Sequence, residues 1–233
     1  ALAAAVERGC KVRVIYNSAG EDNRKEGEDK AGTLSARLEA KGVEVRFINK
    51  IMHHKFVLID GPRDDLSKAN DAILISGSAN WDNKAATKFD ENTLILPREP
   101  ELALRYQREY DNMWNHARDF DTASEDFAQA SIPETLSVDD PDQDALFTSK
   151  NFSVKEGSTT FKVTSTNTVA DALAAAIRGA KTSVHLASGH MRSRIVADAL
   201  KERAGQIDVK VYLDGKEFIS DGKSWDQKSE LED

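Results

Sequence analysis

The chain has very little cysteine: Cys10 is the single one in 233 residues. That excludes an internal disulfide and any cysteine-built metal centre, and it leaves the redox compartment open. Placed between a predicted helix and a predicted strand, Cys10 reads as a small buried apolar residue. Long apolar runs are missing too. No stretch reaches the 18 or so residues that a membrane-crossing helix needs, and no targeting segment is visible. A basic excess is also absent, since 32 Lys and Arg face 40 Asp and Glu for a net charge of −8. The broad cationic surface of a nucleic-acid binder is therefore not indicated, although local basic patches stay open. Histidines number five, and the one close pair, His53-His54, would point to opposite faces of a strand. No metal-ligand constellation results, and no metal or other cofactor is expected.

The acidity is local. Residues 1–120 carry 19 basic and 20 acidic side chains, residues 121–150 one and eight, and residues 151–233 twelve of each. With Pro133, Pro141 and the cluster Asp139-Asp140-Pro141-Asp142-Gln143-Asp144, the middle segment reads as an acidic linker over 119–158. The chain's 39% hydrophobic content is ordinary for a packed protein. Ala1 opens in what reads as mid-helix, so a fragment of a longer chain is expected. The localisation is unknown from this stretch, and a signal peptide ahead of Ala1 would make the parent secreted or cell-envelope.

Between those bounds helix and strand patterns alternate. Ala1–Arg8 predicts a helix, Lys11–Tyr16 a strand, Thr33–Lys41 a helix ended by Gly42, and Val43–Phe47 a strand. Met52–Asp60 and Ala72–Ser76 predict a hairpin whose tip is lengthened by the polar insertion Gly61–Asn70. A helix over Asn80–Lys88, a strand over Asn92–Leu96 stopped by Pro97, and a long amphipathic helix over Glu99–Arg118 complete the first part. After the linker, Thr160–Val163, Ser183–Ala187 and Val209–Leu213 predict strands, with helices over Thr168–Arg178 and Arg192–Arg203. Such alternation argues for an α/β layer structure. A weak repeat also links the ends: Leu2, Glu7-Arg8-Gly9 and Val12-Arg13-Val14 match Leu200, Glu202-Arg203 with Gly205, and Val209-Lys210-Val211.

The chemistry is concentrated between residues 51 and 92. His53-His54-Lys55 opens an aliphatic run ending at Asp60, Gly77-Ser78-Ala79-Asn80 follows seventeen residues on, and Glu91-Asn92 fourteen after Gly77. On a strand, His53 and Lys55 share a face roughly 6–7 Å apart, a spacing suited to gripping one phosphate. By the same alternation Asp60 faces away, which favours holding the hairpin over touching phosphate. His54 is placed on the far face, His116 on the long helix, and Trp81 in packing. In order, this His-x-Lys, aliphatic run, Asp, Gly-Ser-x-Asn-Trp and Glu-Asn resembles the HKD motif of the phospholipase D superfamily. The spacer before Gly77 is longer than in many members.

The resemblance implies a phospholipase D-like α/β fold: an N-terminally truncated first repeat over 1–118, the linker, and the opening of a second repeat over 159–233. It also implies a mechanism. His53 would be the nucleophile that forms a covalent phosphohistidine, because neutral imidazole attacks well near neutral pH and its adduct is labile. Lys55 would neutralise the phosphate oxygens, with Ser78 and Asn80 donating hydrogen bonds to them. Glu91 would hold the far nitrogen of the imidazole, and Asp60 completes the motif. His190, near a strand end in the second unit, is a possible pocket residue.

No other histidine opens a His-x-Lys; His116, His185 and His190 are followed two residues on by Arg118, Ala187 and Arg192. The second half-site, whose histidine would protonate the leaving group, is thus expected from the missing part of a parent chain or, ranked behind it, from a homodimer. This stretch alone is expected to be inactive. The expected partner is a phospholipid or another phosphodiester, hydrolysed or transferred. A nuclease activity ranks second, and a catalytically incomplete binding module third.

Overall fold

A computed structural model describes residues 1–17, 31–48, 52–62, 66–121, 123–126, 145–154, 161–163 and 167–214. Two compact units emerge, Ala1–Ala145 with Phe152–Val163, and Leu146–Asn151 with Thr164–Asp233. The fold is mixed α/β. The acidic cluster 139–144 and the tail beyond Asp214 lie outside the described residues.

In the first unit α1 (Leu2–Glu7) leads into β1 (Arg13–Asn17), and α2 (Leu34–Glu39) into β2 (Glu44–Ile48). Each turn is set locally. Gly9 and Gly42 take positive φ (89° and 82°) just beyond helix ends, where other residues are strained. Thr33 caps α2, its Oγ1 accepting the Ala36 amide at 3.2 Å. β1 and β2 pair in parallel from Arg13 opposite Glu44 to Asn17 opposite Ile48. Val43, Val45 and Phe47 alternate inward and are almost wholly buried, packed by Val6, Val12, Val14, Tyr16, Leu38 and Phe120. Burying a side chain such as Phe47 is worth about 1.5–3 kcal/mol, so this short patch pins the sheet. Cys10, expected inside, is exposed, because the chain from Glu7 to Lys11 turns at the surface between helix and strand.

A second sheet carries the motif. β3 (Phe56–Ile59), β4 (Ile73–Gly77) and β5 (Thr93–Pro97) form an antiparallel ladder with β4 central. The short α3 (Asn83–Lys88) lies between β4 and β5, and α4 (Pro100–Asn115), started by Pro100, comes next. Tyr106, Tyr110 and Trp114 recur every fourth residue along α4. Phe56 meets the Tyr106 and Tyr110 rings edge-on at 5.0 and 6.4 Å, so the first residue of β3 is clamped to the helix.

The chain after α4 does not leave at once. β6 (Arg118–Asp119) pairs antiparallel with β2, and the buried Arg46 guanidinium gathers the residues around and beyond it. Arg46 donates to the Trp114 carbonyl (2.8 Å), the Asp119 carboxylate (3.2 Å), the Ser124 carbonyl (2.5 Å) and the Asp126 carboxylate (2.6 Å), and lies 4.6 Å over the Trp114 ring. The start of the predicted linker, 119–126, is therefore part of the first unit. A buried guanidinium must find partners for its five N–H groups, and these residues supply them. The predicted strand near 160 also differs: β8 (Phe161–Val163) pairs with β7 (Phe152–Val154) in the first unit rather than opening the second.

The second unit contains a 3₁₀ turn (Thr148–Asn151), α5 (Thr168–Gly179), β9 (Ser183–Ser188), α6 (Arg194–Arg203) and β10 (Asp208–Leu213). β9 and β10 are parallel, and Ile177, Met191, Val196, Leu200 and Leu213 are buried at the centre of its core. Gly205 follows α6 at φ 79°, as Gly9 follows α1 at φ 89°. A Cβ at either glycine would meet nothing, so the backbone conformation alone calls for glycine there. In both units a helix, a left-handed glycine and a strand of a parallel pair come in the same order.

Candidate active site

β4 and β5 come together at their ends, where Ser76 pairs with Leu94 and Gly77 with Thr93. A Cβ on Gly77 would fall on the Asn92 carbonyl oxygen, so glycine is what allows this approach. Just beyond, the Ser78 amide donates to the Asn92 carbonyl at 3.1 Å and the Asn92 amide donates to Ser78 Oγ at 3.0 Å. Ser78 Oγ donates in turn to the Glu91 carboxylate at 2.5 Å. A charge-assisted O–H···O⁻ bond of this length is among the stronger kinds. One hydroxyl therefore joins the two strand ends and positions the acid.

Lys55 approaches from a third segment. Its Nζ donates to the His53 carbonyl at 2.6 Å. Partial burial pulls the ammonium below its usual pKa, and the charge of Glu91 acts in the opposite direction. His53 and Asn80 are exposed, whereas Lys55 and Glu91 are half-buried. A cation, a hydroxyl and a carboxylate are thus linked to one another, with the cation bonded to the backbone of an exposed histidine.

The strand expected to carry His53 and Lys55 is shorter than the pattern predicts. β3 begins at Phe56, opposite Ser76, and residues 52–55 precede it without strand pairing. The reason lies on the partner, because β4 turns away at Gly77 toward Asn92 and leaves 52–55 no ladder to join. The alternation argument for a shared face therefore does not apply to His53 and Lys55; the lysine's bond back to the His53 carbonyl relates them instead. Asp60 ends β3 in the left-handed region at φ 53°, which Asp tolerates better than most residues, and its side chain is exposed.

Several neighbours were not anticipated. His54, read as far-face filler, points Nε2 at the buried Glu109 carboxylate of α4 at 3.8 Å and packs edge-on against Phe56. Ser76 Oγ lies 3.2 Å from the Tyr106 hydroxyl. The helical spacing Tyr106-Glu109-Tyr110 was the available signal for both contacts. Trp81, expected in packing, is 67% exposed, since α3 buries only Ala85. His116 is satisfied by the Asn112 carbonyl at 2.7 Å.

His190 belongs to the second unit, after β9, where its amide donates to Ser188 Oγ and its carbonyl accepts from the same hydroxyl. Nearby on that sheet His185 Nε2 lies 2.9 Å from the Asp208 carboxylate, which His185 and then Lys210 hold below the usual carboxylate range. Among the described residues no group of three His, Cys, Asp or Glu side chains is arranged to hold a metal ion. No described helix is long and apolar enough to cross a membrane.

Residues 1–114 match the family model described as cardiolipin synthase, PLD-like domain. Three proteins named mitochondrial cardiolipin hydrolase are similar. That of Chlamydomonas reinhardtii is 30% identical over 113 residues, covering 46% of this chain and 41% of its own length. The Xenopus tropicalis protein is 32% identical over 122 residues (52% and 48%), and that of Danio rerio 36% over 86 residues (36% and 33%). The chain thus spans less than half the length of each. Among solved structures, Nuc from Salmonella typhimurium, a phospholipase D family member, aligns at 24% identity and TM-score 0.39 over 50% of this chain and 68% of that one. Through residues 1–114, just under half of its length, the chain is thus similar to phospholipase D-like domains.

Proposed function

We propose that residues 52–92 form one half of a phosphodiesterase site that works through a phosphohistidine on His53, with phospholipid as substrate. The observation carrying this reading is the linking of Lys55, Ser78 and Glu91 from three separate segments, with Lys55 bonded to the backbone carbonyl of the exposed His53. The relatives' name, cardiolipin hydrolase, supports a phospholipid over other diesters.

In the first step a neutral His53 nitrogen attacks phosphorus, an N–P bond forms, and the bond from phosphorus to the leaving alcohol oxygen breaks. That oxygen takes a proton from a general acid of a second half-site, supplied by further chain or by a second copy. Water or another alcohol then attacks phosphorus, loses its proton to that group, and the N–P bond breaks. Lys55 balances the non-bridging oxygens and Asn80 donates to them. Ser78 already spends its proton on Glu91, so its turn toward phosphate requires Glu91 to move to the His53 ring, where a carboxylate would stabilise the imidazolium.

The test is acid-sensitive, base-stable labelling of His53 by a phospholipid carrying ³²P in the diester, using the complete protein. Label on the wild type and none on H53N is the expected result. Label acquired only from single-stranded DNA would move the substrate to nucleic acid, and absence of label from either diester would overturn the phosphohistidine.

A further inference from the structure

The segment Trp81–Asp90 leaves the sheet at Ser78-Asn80 and returns at Glu91-Asn92, so both of its stems are residues of the site. The Ser78–Glu91 and Asn92–Ser78 bonds close those stems tightly. Nine of its ten side chains are exposed, Ala85 being the exception. The two largest are the least suited to water, with Trp81 67% and Phe89 55% exposed. Leu94 and Ile95, consecutive on the edge strand just past the return, are 54% and 65% exposed, one on each face of the strand. Two such large apolar side chains as Trp81 and Phe89 left in water on one short segment beside the site mark it as an interaction element.

Its charges point to one kind of partner. Lys84 and Lys88 stand four residues apart on one side of α3, both exposed. The segment's two acids sit outside the helix: Asp82 is its cap, accepting the Lys84 and Ala85 amides at 2.7 and 2.8 Å, and Asp90 follows its end, so the two lysines are the charges on α3 itself. Lysine is depleted from protein–protein interfaces, whereas tryptophan with lysine is the composition of a surface that sits among lipid headgroups.

We infer that Trp81–Asp90 is a docking element for an anionic phospholipid surface: Trp81 and Phe89 enter the headgroup layer, Lys84 and Lys88 meet its phosphates, and the adjoining site is thereby presented to a diester at that surface. This rests on the phospholipid reading of the site.

Sedimentation of the full chain with vesicles of phosphatidylcholine, with and without phosphatidylglycerol, tests the inference, and using H53N alongside the wild type removes turnover from the result. Both proteins are expected to prefer the anionic vesicles by about five-fold or more, W81A/F89A to lose about ten-fold of that binding, and K84Q/K88Q to lose the preference for the anionic lipid. Thermal melts verify folding, and if W81A/F89A does not fold, K84Q/K88Q, altered only at exposed positions, decides alone. Unchanged vesicle binding by the folded variants overturns the inference. So does a loss of self-association, or of single-stranded DNA binding, in place of lipid binding, which would assign the patch to a second copy or to nucleic acid. The two readings fail separately. Vesicle binding that depends on Trp81 without any His53 label leaves docking standing and removes the phosphohistidine, whereas labelling by a monomeric short-chain phospholipid with vesicle binding indifferent to Trp81 does the reverse.

Discussion

Ser78 and Glu91, thirteen residues apart, are joined by a hydrogen bond of 2.5 Å from hydroxyl to carboxylate. The motif assigns them different tasks, phosphate binding for one and histidine support for the other. In the structure they hold each other, and the same hydroxyl accepts the Asn92 amide. The two ends of the Trp81–Asp90 excursion therefore depend on a single oxygen.

Replacing Ser78 with Ala removes that oxygen while leaving the strands. Activity of the complete protein on a phospholipid diester is expected to fall about 10²-fold, the usual cost of losing one anion-stabilising donor. Because the bond is exposed, the thermal midpoint should shift little. Steady-state rates and melts on the same preparations check this, and a large drop in midpoint with no loss of rate would contradict it.

Gly77→Ala tests the close approach behind the bond. The new Cβ would meet backbone at Asn92, which has no rotamer by which to yield. A destabilisation of about 1–3 kcal/mol is expected, as for overpacking in a tight interior. Urea unfolding of the variant measures it.

Lys55 should show a pH dependence of definite sign. Its native pKa lies below the ordinary 10.5. As pH rises the folded protein loses this proton before the unfolded chain does, so between the two values this group's contribution to stability increases with pH. Binding of inorganic phosphate moves oppositely, present below the native value and lost as pH rises through it. K55R should retain phosphate affinity through that range, since a guanidinium does not titrate there. Calorimetric titration with phosphate across alkaline pH, wild type against K55R, gives the comparison.

Arg46→Ala should free the segment after α4. It leaves the Trp114 and Ser124 carbonyls and the Asp119 carboxylate without their donor, and since the carboxylates reach solvent the cost is that of lost charge-assisted hydrogen bonds, about 1.5–3 kcal/mol. Hydrogen exchange at residues 118–126 should accelerate more than at β9 and β10, whose unit does not contain Arg46.

The elements were legible, and the candidate site residues could be named, because their signals are local. Inward alternation at Val43, Val45 and Phe47, the four-residue spacing of Tyr106, Tyr110 and Trp114, and the order His53, Lys55, Ser78, Asn80, Glu91 all lie in short stretches whose geometry neighbouring residues impose. What tertiary structure decided depends on partners distant along the chain. β3 starts at Phe56 rather than Met52 because β4, seventeen residues on, turns away at Gly77. His54 meets Glu109 because Phe56 is clamped to α4. Residues 119–126 join the first unit because a guanidinium some seventy residues earlier is buried and must be satisfied. Trp81 stands exposed because α3 needs only Ala85 to pack. Periodicity states which face a side chain prefers; whether a partner waits there is set by where the rest of the chain has gone.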